Sequence, residues 1–433
     1  MKVPKTNNKL IYVLSATGSA VGMANVWGFP YKFHKSGILF LIFYLIFISI
    51  FSYVGLSSEF AIGRLSQKSI VGSYEYAIRT RFKNSKLASF IGYIPLVISI
   101  IIAVGYTIIV SYVAKAMIDT LNGTLLNVDA GVWFDSVSST SFSVLEMHLA
   151  IIVITILISL GGFKSIQTVN GILMPLMIVI YIVVLIKLLT IPGIIEGYKF
   201  LFRFDINKLN IATIIAALGD ALFALSITGF GMILVGKMMP RSQDIVHTAR
   251  LTAIFDTIVA LMSAFIIVPS MVVYAMQQYK GSGLIFYVLP TIFRNMAMGR
   301  GFGVLFYLAI ILAGLTSLQN QFESIANTLV IRFKFSNNKA LVLIGLVVFG
   351  LGISLHPIAR WEPLMDTILY YLIPLGAIIG SITWFFVMDK DILLREINKG
   401  AKKKHTDIFI KFGRYIYTPM IIIICLASIF LPH

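Results

Sequence analysis

The chain has 433 residues, 58% of them hydrophobic, a mean hydropathy of +0.92 and a formal net charge of +17. That hydrophobicity excludes a soluble globular domain and sets most of the chain against lipid or other membrane helices. The charge does not point to nucleic acid, because the basic residues sit in short segments between apolar runs, which is a topology signal, and the lone Cys425 excludes a disulfide framework or a cysteine metal cluster.

An apolar layer of ~30 Å takes about 20 helical residues to cross. On that measure the sequence predicts eleven spans, near 10–36, 38–66, 89–119, 146–163, 166–190, 211–238, 245–277, 301–332, 339–356, 365–388 and 408–431. The opening MKVPKTNNK runs into the first span with no small-residue cleavage site, so no cleavable signal peptide is expected. With the N-terminus inside, the cytoplasmic segments carry 24 of the 35 Lys and Arg. The expectation is a multi-pass protein of the inner (plasma) membrane, N-terminus cytoplasmic and C-terminus outside. Lys402-Lys403-Lys404 reads as a cytoplasmic anchor to anionic membrane lipid. The outer segments 120–145, 191–210 and 278–300 are expected to carry short surface helices. The oligomeric state is left open.

The first span contains Gly18, Ser19, Ala20, Gly22 and Ala24, small residues that leave the backbone poorly shielded and easily unwound. Unwound backbone at membrane depth survives only where it lines a cavity or is buried in protein. There its carbonyls can hold a cation and a half-helix N-terminus an anion. The alternative is a close-packing face of small residues. The sixth span is interrupted in a corresponding place, near Ser226–Gly231, five spans after the break at Ala20–Asn25. Such a pair of breaks is what two inverted five-helix repeats would give, so the expected fold class is all-α: one transmembrane domain over 1–433, with repeats at about 10–190 and 211–388 and an extra helix at 408–431.

Residues 18 to 31, Gly-Ser-Ala-Val-Gly-Met-Ala-Asn-Val-Trp-Gly-Phe-Pro-Tyr, resemble the first-helix signature of the neurotransmitter:sodium symporters, the leucine-transporter-like family. Glu59 with Gly63-Arg64, Phe223-Ala224-Leu225-Ser226, and Ala313-Gly314-Leu315-Thr316-Ser317 followed by Glu323 resemble the family's second, sixth and eighth helices. The resemblance implies sodium as the coupled ion. It implies one sodium site at the Gly18, Val21 and Ala313 carbonyls and the Thr316 and Ser317 hydroxyls; hydroxyl bonding to the preceding helical turn is the plainer role for the last two.

A second sodium site is altered. Ala20 and Asn25 match it, but the hydroxyl expected after Phe223 is Ala224 and the amide expected on the seventh span is Asp256. Charge at membrane depth is expensive, so Asp256 could hold sodium, take a proton, stand in for the chloride some relatives use, or be a hydrogen-bonded structural carboxyl. Asp220 is a second candidate for built-in negative charge or a structural carboxyl, and Glu59 is expected to brace the unwound sixth helix.

For the solute, the resemblance implies a pocket from Ser19, Gly22, Met23, Ala24, Ile102, Tyr106, Phe223, Ser226, Ser317 and Gln321. Gly22 matches amino-acid carriers. The third-helix tyrosine that grips the substrate carboxylate aligns with Ile102, with Tyr106 one turn later either replacing it or only packing. Gln321 falls where an apolar wall is usual. The outer-gate arginine is Gly28, which leaves Asp366 without its cation, and MKVPKTNNK offers no inner-gate arginine or tryptophan. The function expected is sodium-coupled import of a small organic solute, an amino acid or derivative. The alternatives are a sodium- or proton-driven carrier of another polar solute, or a non-transporting binding homologue. No nucleotide-binding, zinc-protease or serine-hydrolase motif appears, so an enzyme is not expected.

Overall fold

A computed structural model describes residues 9–82 and 85–430. Most of the MKVPKTNNK stretch, Lys2 and Lys5 included, and Lys83 lie outside the described residues. Every regular element among those described is helical. Eight helices are long and apolar enough to cross a membrane, or nine with the bent first pair taken as one span. Leu145–Ser159 and Ile211–Ala224 are apolar but shorter, and they fall where the fourth and sixth spans are expected. The expected eleven are reached only by including these two.

The first helix runs Lys9–Ala20, breaks, and resumes through a π turn at Ala24–Gly28 into Phe29–Ser36, with a bend of 67°. Pro30 follows the π turn inside the resumed helix, where a proline removes one backbone donor. The second helix is Ile38–Ser66, the third Ser85–Asn122 and the fifth Gly162–Leu188. The seventh is Ile245–Val273, the eighth Gly299–Phe333, the ninth Asn337–Gly352, the tenth Ile358–Val387 and the eleventh Asp407–Ser428.

The sixth helix stops at Ala224 and resumes as Ile233–Met238. Between them Ser226 (φ 51°) and Gly229 (φ 78°) adopt left-handed conformations that end a helix. Four of the freed backbone groups find partners on other helices. The buried Glu59 carboxylate accepts from the Gly229 N–H at 2.7 Å and the Met232 N–H at 2.8 Å. Tyr74 Oη donates to the Gly229 carbonyl at 2.8 Å, and Asn320 Nδ2 to the Gly231 carbonyl at 2.9 Å. Losing Glu59 would strand two buried N–H groups at roughly 1–3 kcal/mol each.

Close packing frames this break. No methyl group fits at Gly63, which lies on the Ile233 carbonyl, or at Gly236, which lies on the Phe60 backbone. The C-terminal end of the second helix and the resumed sixth helix therefore touch backbone to backbone.

Two of the three outer segments carry exposed short helices, as in Ile194–Leu201, though each also buries one face. The third differs from a surface element. In the turn Leu284–Val288 and the helix Leu289–Arg294, Leu284, Phe286, Val288, Leu289, Ile292 and Phe293 are all buried, and Tyr307 Oη on the eighth helix donates to the Ile285 carbonyl at 3.1 Å. Its continuous apolar run fills the core between helices.

Candidate functional site

The site lies where the two broken helices face the third, seventh and eighth. Ala313, Thr316 and Ser317 share one face of the eighth helix at i, i+3, i+4. Ser317 Oγ donates to the Val21 carbonyl, which the break has freed, at 2.8 Å, and Thr316 Oγ1 donates to the Ala313 carbonyl at 2.8 Å. Ser317 thus joins the eighth helix to the freed first-helix carbonyl, whereas Thr316 bonds to the preceding turn of its own helix, and all four residues are buried. Gly18 lies one turn back, flush against the Asn170 side chain of the fifth helix, so that a methyl there would strike the amide.

Asn170 escaped the sequence reading. Its Nδ2 donates to the Ser15 carbonyl at 3.4 Å and its Oδ1 accepts from Gln319 Nε2. One amide therefore ties the first, fifth and eighth helices below the cluster. A lone buried Asn in an apolar span is the signal that could have found it.

On the other side of the break, Asn25 Oδ1 accepts from the Gly22 N–H at 3.0 Å, and its Nδ2 donates to Asp256 Oδ1 at 3.0 Å. Tyr44 Oη reaches Asp256 Oδ2 at 3.5 Å. Asp256 is fully buried and forms no ion pair among the described residues. Ala20 and Ala224 are buried and offer no side-chain oxygen.

Asp220 behaves differently from the expectation of a free negative charge. Its Oδ1 forms an ion pair of 2.6 Å with Lys32 Nζ, one turn beyond Gly28 on the first helix. The pair neutralises it, whereas Asp256 has an amide and a phenol as partners and no ion pair among the described residues. A methyl on Gly28 would lie 3.4 Å from Asp220 Oδ1.

Of the two third-helix candidates, one reaches the break. The hydroxyl at the broken backbone belongs to Tyr106, which accepts from the Met23 N–H at 2.9 Å. Ile102, one turn earlier, is an apolar core residue. Gly22 leaves just enough room: a methyl there would collide with Tyr106 Oη and crowd Ser317 Oγ. Ser226 Oγ donates to the Ser19 carbonyl at 3.4 Å, joining the two breaks, and Phe223 lies half-buried one turn before. Ala24 is buried in the π turn. Gln321, one turn beyond Ser317, has a buried Oε1 without a hydrogen-bond partner. Trp361 of the tenth helix packs edge-on to Trp27 at 6.5 Å and donates to the Gly105 carbonyl at 2.7 Å, beside Tyr106.

Paired helix breaks bridged by buried hydroxyls and a carboxylate define a polytopic secondary carrier rather than a channel or an enzyme. The sequence profile described as the Sodium:neurotransmitter symporter family matches residues 4–137 and 134–431. The chain belongs to that family, and sodium is its coupled ion. It is 27% identical over 443 residues to the uncharacterized sodium-dependent transporter YhdH of Bacillus subtilis (strain 168), covering 98% of this chain and 97% of that one. It is 26% identical to an uncharacterized sodium-dependent transporter of Haemophilus influenzae, over 80% of this chain and 78% of that one. The crystal structure of MhsT in complex with L-phenylalanine superposes with a TM-score of 0.85 at 26% identity, over 97% of this chain and 98% of that one. The fold is thus the leucine-transporter-like one, and the protein is a multi-pass, sodium-dependent membrane transporter of a small solute.

Proposed function

We propose that the solute is an amino acid or a close derivative, imported with sodium by alternating access. The observation that carries this reading is Tyr106 Oη on the Met23 N–H beside Gly22. It sets a phenol, backbone amides of the break and the Ser317 hydroxyl close together, with Gly22 packed against the phenol, and such donors suit a carboxylate. MhsT, solved with L-phenylalanine, supports the same class. The unpaired Gln321 Oε1 favours a solute with a polar side chain over a purely apolar one.

Sodium at Gly18, Val21, Ala313, Thr316 and Ser317 would replace the hydroxyl-to-carbonyl bonds seen there and fix the first helix to the eighth. A conformation held that way binds sodium more tightly, and the gradient acts through that difference in affinity between states. Ala20 and Asn25 with Asp256 form the altered second ion centre, where the protein supplies a fixed negative charge. The inverted repeats run over about 10–190 and 211–388, and the helix at 408–431 is the appendage. The N-terminus is cytoplasmic and the C-terminus outside, on the distribution of Lys and Arg.

The test is uptake of amino acids into proteoliposomes with and without an inward sodium gradient. Sodium-dependent accumulation that Tyr106→Phe abolishes supports the reading. Uptake of amines or sugars in preference to amino acids, indifferent to Tyr106→Phe, would sink it.

A further inference from the structure

Away from the transport centre, a cavity of ≈ 430 Å³ opens between the start of the seventh helix and the segment 402–406 that leads into the eleventh. Arg250, Lys402, Lys403 and Lys404 line it with the rings of His247 and His405. None of the four cations forms an ion pair among the described residues. The one acid in the lining, Asp244, is already engaged: its Oδ1 accepts from the His247 N–H and its Oδ2 from the Lys402 N–H, both at 3.0 Å.

The lysines are not on a loose tail. Asn398 and His405 exchange hydrogen bonds through Asn398 Nδ2 to the His405 carbonyl (2.9 Å) and the His405 N–H to Asn398 Oδ1 (2.7 Å), closing the segment into a loop. Gly400, at φ 76°, presses on the backbone of 241–243. Arg64, buried at the end of the second helix, donates to the Gln243 carbonyl on one wall and to the Glu396 and Lys399 carbonyls on the other. Both walls of the basic cavity hang on that guanidinium.

One side of the cavity is apolar. Arg250 lies over the Tyr53 ring at 5.4 Å, Ile408 is 57% exposed, and Ile254 and Ile258 continue from Arg250 along the same exposed face of the seventh helix at i+4 and i+8. A basic cup that opens onto a lipid-facing apolar stripe suits a ligand with an anionic head and a hydrocarbon tail.

We propose that this cavity is a binding site for one anionic phospholipid, its phosphate headgroup held by Arg250 and Lys402 to Lys404 and its chains lying along Ile254 and Ile258. In the orientation proposed above it belongs to the cytoplasmic leaflet. A headgroup bridging the two walls ties the starts of the seventh and eleventh helices together, next to the packed unit of Gly63 and Gly236.

The full-length protein, purified from vesicles of phosphatidylcholine with phosphatidylglycerol, is weighed intact with its bound lipid and melted in each lipid background. We expect one retained phosphatidylglycerol and a raised melting temperature. The triple variant Lys402→Gln, Lys403→Gln, Lys404→Gln should weaken retention about a hundredfold, from the attraction of three surface lysines to anionic headgroups. A variant of equal charge change elsewhere, Lys164→Gln, Lys334→Gln, Lys339→Gln, should retain the lipid. Equal loss in both variants would reduce the effect to diffuse attraction and overturn the site, as would full retention in the first. Inorganic phosphate should not displace the lipid; displacement would make the cavity a soluble-phosphate site and overturn the lipid assignment.

Discussion

Lys32 and Asp220 meet at 2.6 Å across the outer halves of the two broken helices, residues 188 positions apart in the chain. The contact changes the charge balance of the ion centre, because it cancels Asp220, whereas the Asp256 carboxylate beside Asn25 forms no ion pair among the described residues.

Chloride should therefore be dispensable. Transport measured in gluconate is expected to match transport in chloride. Asp256→Asn should introduce a chloride requirement, while Asp220→Asn should not, since it removes a charge that Lys32 already cancels. A chloride requirement in the unmodified protein would refute the assignment of Asp256.

Sodium should stabilise the purified protein. At a concentration about a hundredfold above its dissociation constant the gain is about 2.7 kcal/mol. Thr316→Ala combined with Ser317→Ala should erase the sodium-dependent rise in melting temperature without erasing the fold. If the rise persists, the ion binds elsewhere.

Tyr106 and Ile102 separate cleanly by mutation. Tyr106→Phe leaves the Met23 N–H unpaired in a buried place, a cost of about 1–3 kcal/mol, and should lower solute affinity about 10- to 100-fold. Ile102→Val should change affinity little. Gln321→Ile should shift preference toward apolar side chains; unchanged selectivity in a panel of amino acids would take Gln321 out of the pocket.

Acid should loosen the inner end of the bundle through Glu396, on the helix Lys390–Asn398 outside the spans. Burial alone would raise its carboxyl, but Lys399 and Arg64 outweigh burial and hold it below the ordinary 4.5. A depressed carboxylate contributes stability that is complete above its unfolded value and is lost as the pH falls through its folded one. Melting temperature is thus expected to be level above pH 4.5 and to decline below it. Glu396→Gln, which strands the buried Arg64, should cost about 3–5 kcal/mol near neutrality and flatten that decline. A decline as steep in the variant would assign the acid sensitivity to other groups.

The helix breaks were legible in the sequence, because small residues at membrane depth and a matching interruption five spans later have few other uses. The eighth-helix hydroxyls were legible only through the family resemblance, since by themselves they read as hydroxyls bonded to the preceding turn. Tyr106 was not, since Ile102 and Tyr106 lie one turn apart on a single face and helical periodicity cannot choose between them. The pairing of Asp220 was hidden by sequence distance: nothing near it names Lys32. The burial of Leu284–Val288 was missed because a short apolar run between polar breaks reads alike whether it covers a surface or fills a core.

The packing of Gly63 on the Ile233 carbonyl and of Gly236 on the Phe60 backbone has a mechanical consequence. With no side chain between the two backbones, the resumed sixth helix rides as a passenger on the second and cannot swing by itself. Opening the inner side must then be absorbed in the few residues from Leu225 to Met232, strung between Glu59, Tyr74 and Asn320. A bulky residue at Gly63 would uncouple passenger from carrier, so that the molecule could still bind its ions yet fail to transmit their arrival to the opposite face.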